Sequence, residues 1–228
     1  MPLLTSEIIA LVTAVARRWG AVPSEILSAA IPPRVISVEK DVTESSTSEL
    51  LSARNQSPSH SYYLFTPGED PFHTIAEWVK RRGDQGGVLV VLPELREVHS
   101  LANELTLLDV DFSVLDASLA RTTRYSNFLQ VATGESKIVI GTRSAIFAPV
   151  SNLQTIVIFR EGSESHYERR TPGWNVRDVA IIRSQLAAID LTFAGFAPSS
   201  ELSLLIESEA IALKGKSAKV DATSYPQA

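Results

Sequence analysis

The chain has 228 residues, which makes one large domain, or one domain with a small appendage. With no cysteine it has no disulfides, cysteine–zinc sites, iron–sulfur clusters or thiol catalysis, and no apolar run approaches the roughly 18 residues of a membrane span. Lys and Arg total 21 against 26 Asp and Glu, a net charge of −5, so the chain does not coat nucleic acid by bulk charge, and any such contact needs a local patch.

Residues 5–19 repeat Ile8, Ile9, Leu11, Val12, Val15, Ala16 and Trp19 at helical spacing, with Thr5-Ser6-Glu7 as a start and Gly20 as a stop. The segment has neither the basic start nor the cleavage site of a signal peptide, and the expected location is cytoplasmic. A second helix is predicted from Pro23 to Ala30, and Pro32-Pro33 ends it. Residues 34–60 read as a linker, dominated by Ser, Thr, Glu, Asn and Gln, with one helical turn around Leu50–Ala53. Strands and helices then alternate. Strands are expected at Tyr62–Thr66, Gly87–Leu92, Phe112–Leu115, Lys137–Ile140, Thr155–Phe159 and Leu191–Ala194. Helices are expected at Pro71–Arg82, Leu95–Leu107, Ser118–Ala132, Val176–Ala188 and Ser200–Glu207. Continuous Val/Ile/Leu runs at 88–92, 138–140 and 156–159 fit strands covered on both faces, as in a parallel sheet. The pattern predicts a three-layer α/β/α domain over 61–212 and a disordered tail over 213–228.

Ligands of open α/β sheets bind beyond the carboxyl ends of the strands. The first strand leads into Pro67, Gly68, Glu69 and Asp70, then Pro71-Phe72-His73. A phosphate-binding loop at this place needs glycines and a lysine, whereas this one holds one glycine, two acids and a proline. Its plainer reading is a strand-to-helix turn capped by Asp70. The fifth strand ends in Phe159, Arg160, Glu161 and Gly162, where a magnesium-dependent ATPase needs an acid at the tip. After the fourth strand, Gly141, Thr142, Arg143 and Ser144 form either a backbone-phosphate contact or a capped helix start. The loop before the next helix mixes Tyr167 and Trp174 with Arg169, Arg170 and Arg177. That mixture suits single-strand stacking, or else a surface loop anchored by one packed tryptophan. The four histidines have no metal-ligand spacing, and Gly215-Lys216-Ser217 lacks the strand and glycine of a phosphate loop.

Taken in order, these segments resemble lobe 1 of the PriA (primosomal protein N′) family of superfamily-2 replication-restart helicases. Lys137–Pro149 reads KIVIGTRSAIFAP and Asn152–Phe159 reads NLQTIVIF, against a family pattern of IVIGTRSA(I/L)F-P followed by NL-x₂-IV(I/V)DEEH. Val176–Ala180 with Arg183, Val88–Leu95 and Leu191–Ser200 resemble further family segments, and residues 3–33 resemble the end of its N-terminal DNA-binding region. The resemblance implies a RecA-like lobe. It departs from the family where GSGKT and DEEH stand in active members, and it is similar to a degenerate branch that has lost these motifs. By carry-over from the family, Gly141, Thr142, Arg143 and Ser144, with Tyr167, Trp174 and Arg177, are expected to contact DNA. The implied role is a pseudo-helicase, nucleoid-associated, with no bound ATP or Mg²⁺, no metal and no catalytic residue. Its expected partners are forked or single-strand/duplex junction DNA, single-strand-binding protein and other primosome proteins, and no membrane. The alternatives are an active ATP-dependent helicase whose second lobe lies elsewhere, and a protein-interaction scaffold.

Overall fold

The computed structural model describes residues 4–39 and 58–215. Three helices come first: α1 (Ser6–Trp19), α2 (Pro23–Ala30) and the single turn α3 (Ile36–Glu39). Then follow β1 (His60–Leu64), α4 (Pro71–Gly83), β2 (Gly87–Val91), α5 (Leu95–Leu107), β3 (Ser113–Leu115), α6 (Arg121–Ala132), β4 (Ile138–Gly141) and β5 (Leu153–Phe159). The chain closes with α7 (Val176–Ala187), β6 (Asp190–Gly195), α8 (Ser200–Glu207) and β7 (Ala212–Gly215). Short 3₁₀ turns at Arg143–Phe147 and Glu164–His166 follow β4 and β5.

The strands form one seven-stranded sheet in the order β3-β4-β2-β5-β6-β1-β7, and every pairing is parallel. All five residues of β2 are buried, as its apolar run requires in a sheet covered on both faces. One apolar core lies between the sheet and α4 and α5, around Phe65, Ile75, Val79, Val90, Leu101 and Val157. The second lies on the other face and takes in α7 together with α1 and α2, so Leu11, Val15 and Ile26 pack into the lobe. Arg183 of α7, fully buried, fixes this second layer. Its guanidinium donates to the Ile146 and Ala148 carbonyls at 2.6 and 2.8 Å and pairs with Glu7 of α1 at 2.9 Å.

Local signals set the element ends. Thr5 accepts from the Ile8 N–H at the start of α1, Asn175 from that of Asp178 in α7 and Ser199 from that of Leu202 in α8. Gly20, at φ 63°, ends α1 in the left-handed conformation that glycine adopts without strain. Three differences from the sequence reading stand out. The strand β7 pairs with β1 through Gly215, so Leu213, Lys214 and Gly215 belong to the sheet and not to a disordered tail. Its four residues are all exposed, which is why no apolar pattern announces it. Residues 34–39 lie against α6, where Glu39 pairs with Arg34 at 2.6 Å and accepts from the Tyr125 hydroxyl. The start of α6 falls at Arg121 instead of Ser118, because the Ser118 N–H turns back to Asp116 at 2.7 Å. The helical turn expected at Leu50–Ala53 lies outside the described residues, as does the chain after Gly215.

Candidate nucleotide and nucleic-acid site

The loops after β1, β5 and β6 meet at the carboxyl edge of the sheet. After β1 the chain turns through Thr66-Pro67-Gly68-Glu69 and enters α4 at Asp70. Asp70 caps that helix, and its carboxylate accepts from the Phe72 and His73 N–H groups at 2.9 and 3.2 Å. Those are the donors with which a helix start would hold a phosphate, and Pro71 removes a third. Glu69 likewise folds inward, accepting from the Thr66 N–H at 2.8 Å and from the Tyr63 hydroxyl at 3.1 Å. Aromatic rings fill the space beside the loop. Phe72 packs on Phe159 at the tip of β5 with ring centres 5.5 Å apart, and Phe65 touches Phe159, Phe196 and Trp78 at 6.3, 5.8 and 6.0 Å.

At the same tip Arg160 sits at φ 50° and pairs with Glu97 of α5 at 2.6 Å. Glu161 turns into the protein at 2% exposure, and one of its oxygens accepts from the Ser199 N–H at 2.7 Å. Burial pushes its carboxyl above the usual range, although the hydrogen bonds at Ser199 and the Arg177 charge pull against it. The nearby His166 is fully buried, donates through Nε2 to the Phe159 carbonyl at 2.9 Å, and is pushed down to about 4 by burial. This donor set does not fit a magnesium triphosphate. The helix-start donors are taken by a tethered carboxylate, the strand tip offers a phenyl ring, and Glu69, Asp70 and Glu161 are each turned onto the chain's own N–H groups.

The second group of expected residues lies at β4 and α7. Gly141 ends β4 against the Leu115 backbone, and the Thr142 hydroxyl donates to Asp116 at 2.6 Å. Burial raises the Asp116 carboxyl, but the hydrogen bonds from Ser118 and Thr142 outweigh it and hold the group below its ordinary value. Arg143 donates to the Tyr167 carbonyl, pairs with Glu168 at 2.9 Å and lies 5.9 Å from the centre of the Trp174 ring. Trp174 is 1% exposed and packs edge-on against Phe147 at 5.1 Å, so its indole anchors the loop and is not free to stack a base. Arg177 is buried too, held by Asp178 at 3.0 Å, Glu201 at 3.2 Å and the Ser199 hydroxyl at 3.3 Å. That leaves Ser144, Tyr167 and Arg143 partly exposed from the expected set, with Arg169 and Arg170 exposed beside them. The sequence reading missed Glu97, Ser199 and the ring cluster of Phe65, Phe72 and Phe196. Phe65, Phe159 and Phe196, each at or just after a strand end, and Phe72 at the start of α4 were a signal for that cluster.

No protein-family model matches the chain. It is similar to the probable replication restart protein PriA of Mycobacterium tuberculosis, at 30% identity over 91% of this chain and 35% of that protein. The Mycobacterium leprae protein of that name matches at 29% over 91% of this chain and 36% of its own length. The PriA of Haemophilus influenzae matches at 32% over 55% of this chain and 17% of its own. The chain thus spans about a third of the length of its mycobacterial relatives. Among solved structures, Saccharomyces cerevisiae Dbp5 bound to Gle1 and IP6 superimposes with a TM-score of 0.53, at 13% identity over 72% of this chain and 43% of that one. Dbp5 bound to RNA and ADP BeF3 gives 0.50 over 73% and 44%. These likenesses, with the all-parallel sheet between helical layers, make the fold RecA-like.

Proposed function

Taking as premise that the chain is a homologue of the PriA replication restart proteins, a superfamily-2 helicase-like family, we propose that it is a pseudo-helicase lobe. In this reading it takes part in replication restart as a DNA-binding element and does not hydrolyse ATP. The observation that carries the loss of nucleotide chemistry is the occupation of the α4 donors by Asp70, with Phe72 against Phe159 beside them. A triphosphate would have to displace the Asp70 carboxylate, which the chain holds at that binding place, and would meet Glu69 beside it. No ATP or Mg²⁺ is bound in this reading.

Forked DNA would approach the β4–α7 corner, where Arg143, Ser144 and Tyr167 are partly exposed and Arg169 and Arg170 are exposed. Arg143 would trade Glu168 for a backbone phosphate. The test is a titration of the chain with labelled fork DNA at several salt concentrations, with and without Mg-ATP. Salt-sensitive binding indifferent to ATP is expected, and Arg143→Ala should weaken it evenly across sequences and flatten the salt slope by about 1. Binding that changes with ATP would overturn the nucleotide half of the proposal.

A second reading, a scaffold that binds primosome proteins or single-strand-binding protein and not DNA, draws on one observation. The chain's own acids already pair Arg143 and Arg177. Absence of fork binding at low salt, together with retention of a partner, would select it.

A further inference from the structure

The face of the sheet under α4 is not fully covered. A cavity of about 410 Å³ opens over the amino-terminal halves of β1, β5 and β6, at the end of the sheet away from residues 66–70 and 160–162. Its size falls within the roughly 300–1,000 Å³ of small-molecule sites. The floor is hydroxylic. Ser61 and Thr192 sit opposite each other in register with their hydroxyls 3.2 Å apart, and Thr155 of β5 lies beside them. Thr155 is 5% exposed, and its buried hydroxyl has no hydrogen-bond partner among the described residues. A buried hydroxyl left unpaired costs stability, and valine would fill the same space without that cost.

The walls are aromatic and the rim is cationic. Trp78 and Tyr63 line one side, with ring centres 4.8 Å apart. Arg81, Arg82 and Lys214 stand around the opening. Asp190 is the one acid of the lining and lies 3.6 Å from Arg82. Lys214 reaches this face because β7 pairs with β1 in the register Tyr63↔Lys214, which puts both residues on one side of the sheet. In a chain of net charge −5 the lining carries three cations against one acid.

We propose that this cavity binds an aromatic phosphate of mononucleotide size. The flat ring would lie against Trp78 and Tyr63, a polar edge would reach the Thr155 hydroxyl, and the phosphate would sit among Arg81, Arg82 and Lys214. Such a group exists as a free mononucleotide or as the phosphorylated end of a DNA strand. The site is separate from the corner argued above, and its fate is independent of that reading.

The experiment is calorimetric titration and thermal denaturation of the full chain with deoxyadenosine 5′-monophosphate, deoxyadenosine, inorganic phosphate and a 5′-phosphorylated oligonucleotide. The monophosphate should bind about tenfold more tightly than either the nucleoside or phosphate alone. Thr155→Val should weaken binding about tenfold while the melting temperature of the free chain stays or rises, a pair of effects a purely structural role would not give. Arg81→Glu with Lys214→Glu, both on exposed side chains, should abolish binding without unfolding the chain. If the oligonucleotide displaces the monophosphate, a strand end is the source; if it does not, the source is the free nucleotide. No saturation in the millimolar range, phosphate binding as well as the nucleotide, or binding untouched by these variants would each overturn the proposal. ATP binding that Thr155→Val leaves unchanged would point instead to the strand-tip corner, so the two failures are distinct.

Discussion

Two corners at the carboxyl edge of the sheet, one between β1 and β5 and one between β4 and α7, meet the same demand with opposite charges. Both hold groups that could grip a polyanion, and both have them occupied by the chain's own acids. At the first, the N–H donors that open α4 are capped by Asp70 and the space beside them holds Phe65, Phe72 and Phe159. At the second, the cations Arg143 and Arg177 are paired with Glu168, Asp178 and Glu201, and Arg143 lies over the buried Trp174 ring. A ligand at the first must expel a tethered anion and several rings. At the second it must only exchange partners with Arg143, whose side chain is 32% exposed. Packed rings offer a phosphate no group to exchange with, whereas a cation 32% exposed can trade its carboxylate for one.

The strongest way to break this contrast is Trp174→Ala. If the indole anchors the second corner, its loss should cost about 3–5 kcal/mol by urea denaturation, as for other large buried aromatics. A base-stacking platform would instead lose DNA affinity at nearly unchanged stability.

Next in size is the acid response of His166, which lies between the corners. Burial holds its imidazole down to about 4, below the ordinary value of 6.5. A group with a lowered folded pKa is neutral when folded, so the unfolded chain takes up the proton first as the pH falls below 6.5. Stability is therefore lost from 6.5 toward 4, by about 2 kcal/mol between pH 7.5 and 5. Urea denaturation at the two pH values measures it, and His166→Gln should remove most of the difference.

A smaller effect tests the first corner. Asp70→Ala removes the cap of α4 and should cost about 1 kcal/mol. It should also leave ATP binding absent, because Phe72 and Phe159 still occupy the space. ATP binding gained by this one change would mean that the carboxylate alone kept the nucleotide out.

The legible and the hidden parts of this edge divide by range. The Asp70 cap, the buried runs of β2, β4 and β5 and the helix starts at Ser199 and Asn175 are written within a few neighbouring residues, and the chain can be read for them locally. The pairing of Arg160 with Glu97 joins positions 63 residues apart and leaves no local trace. Trp174 misleads for another reason. An aromatic among arginines has the same composition whether the ring stacks on a base or packs in a core, and only the Phe147 contact decides it. The strand β7 has no apolar alternation because its residues face water on an edge, where Ala-Leu-Lys-Gly pairs by backbone alone.

The smallest effect sharpens the second corner most. Arg169 pairs with Glu164 at 3.3 Å, but their side chains are 82% and 90% exposed, so the pair is screened and gains little over water. Arg169→Ala should change stability by less than about 0.5 kcal/mol. If DNA approaches this face, the same substitution should lower fork affinity at low salt and lower it less as salt rises, because a phosphate contact is lost. A variant with unchanged stability and unchanged salt dependence would move the DNA path away from the 164–170 loop, leaving Arg143 and Ser144 to carry the contact alone.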